Sequence, residues 1–406
     1  MHGHHVSKVE DIGPLPIPPA VSYGALGIGV LALIPFFITA FTSTNSATIL
    51  NAWWGFMVSY LFFFFLSMGA GAFLAIQYVV DAKWFVVLKR LPESIAAYSY
   101  RGGIIFPLIA LAGTSVLYSW DPANANYEGY PYPGTLKAAW MSPAMHPIKV
   151  CLYLIPLALI MWLLIGVSTA SDRRKNPALK AKTMPLAILF LMAFAILFSL
   201  YCWEVVMSLS PKWFSTIWGV YCFSGAFVSA ASLMMLMAFW IQAKSPVVQK
   251  RHMFDMGTYV MGFATFMIYI GFCQFILIWY ANLPEETFYY MDRYQGGWWY
   301  LTVSLPFFKW IVPFFVLMPS TNRTSLTAQT IACLSVLFGQ LLDVYWMVVP
   351  TFYADLVLPG VVNVLTFIGI GGVFTWSVTS FLASHPLIPV GDPNLLSSVN
   401  GDYLHA

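Results

Sequence analysis

Ten stretches of this chain are apolar enough and long enough to cross a lipid bilayer, and no other feature constrains its fold as much. They fall near residues 24–44, 53–80, 102–120, 148–170, 184–210, 214–243, 257–281, 300–318, 327–350 and 358–384. Hydrophobic residues make up 60% of the chain and charged residues only 9%, where soluble domains carry about 25% charged residues. The mean hydropathy of +0.75 agrees. A soluble shell must meet water, whereas a shell facing lipid needs no charge. Inside lipid each backbone group must be bonded within the protein, so long unbroken apolar runs form helices. The expected fold is all-α integral membrane, with ten transmembrane helices.

Lys and Arg set the expected orientation. Lys83, Lys89, Arg90 and Arg101 follow the second span, while Arg173, Arg174, Lys175, Lys180 and Lys182 follow the fourth. Lys244, Lys250, Arg251, Arg323 and the N-terminal Lys8 fall on the same side. The other side holds Lys137, Lys149, Lys212 and Arg293, with acids at Asp121, Glu128, Glu285, Glu286 and Asp292. The positive-inside rule places both termini in the cytoplasm, as tails over 1–23 and 385–406. Residues Met1 to Ala20 carry Glu10, Asp11 and prolines and lack the pattern of a signal peptide, so the first span is expected to direct insertion. His2, His4 and His5 read as a tail rather than a metal site.

Two segments near the ends of spans five and nine match each other. Glu204 precedes Pro211 by seven residues and Asp343 precedes Pro350 by seven, and aromatic pairs follow both, Trp213-Phe214 and Phe352-Tyr353. A Gly-Ala-Phe step recurs at Gly71 to Phe73 and Gly225 to Phe227. This predicts two parallel-repeat four-helix bundles, spans 2–5 and 6–9, plus two flanking helices. The chain then divides into residues 24–210 and 211–384.

A charge in the hydrocarbon costs about 2.5–3.5 kcal/mol on insertion scales, so each needs a partner or a task. Glu204 and Asp343 lie about 10 Å inward of their prolines at a rise of ~1.5 Å per residue. Lys149, one turn beyond His146, and Lys309 stand at comparable depth on the preceding spans. Each unit thus offers a lysine on its third helix and an acid on its fourth. The pairs read either as packing devices or as removable protons at a cavity; Lys149 and His146 could also snorkel to the interface. On span seven, Asp255, Tyr259, Gly262, Phe266, Tyr269 and Cys273 follow helical spacing, with His252 a turn before Asp255. That stripe suits a water-supported proton wire or plain packing. Asp81, closing span two, is a weaker candidate entrance.

Other chemistries lack their residues. No histidine lies deep in a span to hold haem between helices. Cys151, Cys202, Cys222, Cys273 and Cys333 have no ligand spacing and read as core residues. No glycine-rich phosphate loop is present, and scattered loop charges offer nothing to nucleic acid. The chain is expected to bind no cofactor or metal itself.

Four segments carry a resemblance: Glu204 to Leu209, Pro211 to Tyr221, Trp279 to Glu286, and Asp343 to Trp346. They resemble the F subunit of Alternative Complex III, a quinol:electron-acceptor oxidoreductase of the bacterial cytoplasmic membrane. Wider relatives are membrane subunits of the NrfD/polysulfide-reductase type. The resemblance implies a respiratory or photosynthetic complex passing electrons from quinol, menaquinol among the candidates, to cytochrome c or another periplasmic acceptor. It implies partners as well: a sister ten-span quinol-binding subunit, an iron–sulfur protein, haem-c subunits and membrane lipids. This chain would be the structural partner of the quinol-oxidising subunit, with a proton path. A secondary transporter and a bare membrane scaffold are the competing expectations.

Overall fold

The computed structural model describes residues 13–243 and 247–401. The histidine tail, Lys8, Glu10, Asp11 and Lys244 lie outside the described residues. The chain is an all-helical, multi-pass membrane protein with ten candidate spans. In order these are Pro19–Thr42, Ser46–Val79, Arg90–Leu117, Met145–Arg174, Ala178–Leu209, Trp218–Gln242, Lys250–Ala281, Trp298–Leu317, Leu326–Thr351 and Val361–Ser384. Span 3 starts at Arg90 rather than near 102, because Arg90 and Glu93 are helical and buried although their charges end the hydropathy window. Span 7 likewise starts at Lys250 rather than 257.

Local chemistry fixes the helix ends. Asn45 accepts from the backbone N–H groups of Ala47 and Thr48 at the start of span 2, which satisfies donors that a helix start leaves open. Ser325 does the same for Ala328 in span 9. Span 7 opens on a reciprocal cap between Gln249 and His252 and closes at Asn282, whose φ of 49° ends the helix in a left-handed turn.

Span 2 is apolar on every side and buried on every side from Ala52 to Ala75, the pattern of a central helix. It packs against span 6 at the middle of the molecule and also meets spans 3, 5, 9 and 10. Small residues allow the approach: a Cβ on Gly69 would stand 2.1 Å from the Ala226 carbonyl oxygen. Spans 1 and 10 pair with each other through Gly29, Gly369 and Gly372 in the same way. Buried side chains of residues 24–210 and 211–384 join in one continuous core. The outer faces carry Leu31, Met192, Leu277 and similar exposed apolar side chains, as lipid contact requires.

Both ends of the described chain meet at one end of the bundle. Leu15 N–H donates to the Leu382 carbonyl at 3.3 Å, and Leu387 N–H to the Gly13 carbonyl at 3.0 Å.

Gly69→Ala is expected to lower stability by about 1–3 kcal/mol through overpacking, seen as a lower unfolding temperature of the solubilised chain. Gly166→Ala, inside a helix with open space around its Cβ position, leaves that temperature equal or higher.

Candidate functional site: two buried carboxylate–lysine pairs

Glu204 sits where span 5 changes from an α-helix into a π turn over Cys202–Val206. A π turn widens the helix and frees a carbonyl; here the Ser208 hydroxyl donates to the Glu204 carbonyl. The Glu204 carboxylate, buried, accepts from Lys149 Nζ at 2.6 Å through one oxygen. Its other oxygen meets His146 Nδ1 at 2.7 Å. Lys149 also donates to the Trp140 carbonyl at 2.6 Å, and its ammonium lies 4.6 Å from the Trp140 ring centre. The His146 ring packs against both Tyr118 and Trp120, which also touch each other. The structure therefore brings Glu204, Lys149 and His146 into one cluster.

Lys309 and Asp343 form the second cluster, both essentially inaccessible to solvent. Pro306 lies inside span 8 and has no N–H to give the preceding turn; a π turn follows over Phe307–Ile311 and carries Lys309. The carbonyl of Phe308 in that turn accepts from the Ser335 hydroxyl at 2.7 Å. Lys309 Nζ donates to one Asp343 oxygen, and the Tyr221 hydroxyl donates to the other at 2.5 Å. Gly339 and Gly225 make room for the lysine. A Cβ on Gly339 would stand 2.6 Å from Lys309 Cγ, and one on Gly225 would stand 3.2 Å from its Nζ.

The two clusters share a plan: a buried acid, a lysine from the preceding span, and a third side chain that can carry a proton, His146 in one and Tyr221 in the other. A paired charge this deep avoids the cost of an isolated one. Carboxylate, imidazole and phenol are also groups that exchange protons with small movements.

The remaining candidates are dispersed. Asp255 is half-buried near the start of span 7. Both ring nitrogens of His252 are engaged by backbone: Nδ1 accepts from Gln249 N–H at 2.9 Å, and Nε2 lies 3.1 Å from the Ser398 carbonyl. His252 thus caps span 7 and clasps the C-terminal segment. The Tyr259 hydroxyl accepts from Gln77 Nε2 at 3.1 Å. Tyr269 and Gly262 face outward, so the stripe from Asp255 to Cys273 is not a continuous buried face; the buried face runs through Met256, Val260, Ala264, Met267 and Gln274. Asp81 is exposed and accepts from Asn394 Nδ2 at 3.1 Å.

At the opposite end of the bundle lies an ionic network that the sequence reading missed. Lys89 Nζ bonds Asp172 at 2.8 Å and Asp392 at 2.7 Å. Arg90 bridges Asp172 and Glu93 and donates from Nε to the Pro386 carbonyl at 3.1 Å. The fully buried Glu93 also accepts from Ser168 and, at 3.3 Å, from Tyr78. Lys180 completes the set on Asp392. Among the described residues no group of three or more His, Cys, Asp and Glu side chains could hold a metal ion.

Asp392 ties the C-terminal segment to this network. Burial raises the pKa of its carboxyl, but Lys89 and Lys180 outweigh that and hold it at about 2. An Asp in the unfolded chain titrates near ~3.9, so this stabilisation is fully present above that value and is lost as pH falls through about 2. Protease cleavage between His385 and Gly401 is therefore expected to be equally slow at pH 5 and pH 8, and clearly faster in Asp392→Ala at both, by mass spectrometry of the digests.

Comparison with known proteins finds no family model that matches the chain and no curated protein that matches it.

Proposed function

We propose that this chain is a membrane subunit of a bacterial quinol:acceptor oxidoreductase, in which Glu204 and Asp343 take up and release protons. The single observation carrying the reading is the doubled arrangement of buried acid, lysine and a third proton-bearing side chain, each beside a π turn. π turns concentrate at functional sites, and ionisable residues within spans are functional by default. The quinol-oxidoreductase part of the proposal rests on the resemblance, whose segments contain Glu204, Tyr221 and Asp343. Under this reading spans 2–5 and 6–9 are parallel repeats, both termini are cytoplasmic, and the two pairs lie toward the outer surface. The redox centres belong to the partners, haem c and iron–sulfur clusters among them. Gln77 and Tyr259 are bonded to each other; between Asp255, this pair and Lys309 ordered water must relay the proton, because hydroxyls more than about 3.2 Å apart do not hand it on directly.

A secondary transporter is the second reading, favoured by helices that depart from α geometry at charged residues. Affinity purification of the tagged chain in mild detergent separates the two. The proposal expects haem-c and iron–sulfur polypeptides to copurify with it in fixed ratio. A homogeneous preparation of this chain alone contradicts it.

A further inference from the structure

We infer that Arg101, on the outer side of span 3, holds the phosphate of an anionic phospholipid whose acyl chain lies along the same helix. The inference needs only the membrane fold and not the redox reading above. Three π turns occur among the described residues, and each carries one charged side chain: Arg101 in Ser99–Gly103, Glu204 in Cys202–Val206 and Lys309 in Phe307–Ile311. Glu204 and Lys309 find their counter-charges inside the protein. Arg101 has no carboxylate partner among the described residues. Its Nη1 donates to the Ser377 carbonyl of span 10 at 3.0 Å, and its guanidinium lies 5.6 Å from the centre of the Trp376 ring. Nε and Nη2, which together form one edge of the guanidinium, make no hydrogen bond to the described residues.

Depth and surroundings identify the missing partner. Ser377 lies seven residues before Ser384, the end of span 10, so Arg101 sits about 10 Å inward of that end at a rise of ~1.5 Å per residue. A long basic side chain at that depth reaches the phosphate layer of a bilayer. Arg101 is half-buried, so lipid has access to it. Ile105 and Leu108 follow it at i+4 and i+7 and are exposed. They form an apolar strip from Arg101 toward the bilayer centre, where the acyl chain of a lipid held at its headgroup would run. Tyr23, also exposed, stands within electrostatic reach of the guanidinium and, with Trp376, supplies the aromatic rings usual at a membrane interface. The free edge matches two phosphate oxygens, since guanidinium binds phosphate through two parallel N–H···O bonds. An anionic headgroup is preferred because it brings the counter-charge that Arg101 lacks. A zwitterionic one brings an ammonium of its own that competes for the same phosphate.

The test is native mass spectrometry of the full-length chain in detergent, titrated with dioleoyl phosphatidylglycerol or dioleoyl phosphatidylcholine. Wild type is expected to hold its first phosphatidylglycerol about tenfold more tightly than its first phosphatidylcholine. Arg101→Leu should bind the two alike. Arg101→Lys, which keeps the charge but not the two-pronged edge, should keep only about a threefold preference. Arg323→Leu removes a cation from the same end of the bundle, one already bonded to the Leu317 and Met318 carbonyls, and should bind as wild type. An unchanged preference in Arg101→Leu overturns the inference. So does an equal loss in Arg323→Leu, which would mark a general attraction to that end. Where Arg101→Leu fails to accumulate, Arg101→Lys decides, and a full tenfold preference in it contradicts the inference. Phosphatidylglycerol should also raise the unfolding temperature of wild type, whereas inorganic phosphate should not. Equal shifts would assign the site to free anions and overturn the lipid assignment.

Discussion

Asp343→Leu is expected to destabilise the protein by about 3–5 kcal/mol, the usual result of removing one partner from a buried ion pair. Lys309 would remain in its groove between Gly225 and Gly339 with no counter-charge, facing the Tyr221 hydroxyl and the Gln340 carboxamide. The loss should appear as a large fall in unfolding temperature in detergent, or as failure to accumulate in the membrane. The double variant Asp343→Leu with Lys309→Met should recover most of it, since apolar replacement of a whole buried pair is often neutral or stabilising. A double variant as unstable as the single one would show that the cost comes from lost packing and not from the stranded lysine.

Arg90→Met at the opposite end should be of similar size, about 3–5 kcal/mol. Glu93, completely buried, would keep only the hydroxyls of Ser168 and Tyr78, and the Pro386 carbonyl would lose its donor. Adding Glu93→Met should restore much of the stability. The contrast with the Asp343 pair lies in function. The Arg90 network ties the C-terminal segment to spans 3 and 4, so under the proposed function its repaired double variant should keep wild-type activity. The repaired Lys309–Asp343 variant should lose proton transfer.

These two clusters also show what the sequence could reveal. Ten spans were legible because an apolar run of this length has few alternatives, and the described residues form ten candidate spans. Glu204 and Lys149, and Asp343 and Lys309, were legible as pairs because a charge within an apolar run must find a partner at similar depth. The Arg90–Glu93–Asp172 network was not. Its bases adjoin loops and look like ordinary orientation charges, and Asp392 reaches Lys89 across 303 residues of sequence. The polar stripe of span 7 is not one buried face, for a reason peculiar to membranes. Helical spacing identified a face, but apolar side chains cover both the core side and the lipid side, so hydropathy could not say which face was buried. Met253, Met256, Val260, Ala264 and Met267 form that face, and Tyr269 points away from it. Hydropathy windows likewise gave no hint of the π turns that carry Glu204 and Lys309.

The most direct test of the proton-exchange claim watches the two acids themselves. Infrared difference spectra of the proposed complex, purified with this chain and recorded between oxidised and quinol-reduced states, report protonation of buried carboxyl groups through their C=O stretching bands. Carboxyl bands that shift in deuterated water are expected, one lost in Glu204→Gln and another lost in Asp343→Asn. Spectra with no carboxyl band sensitive to either substitution would contradict that claim, and would leave both acids as fixed charges that hold the helices together.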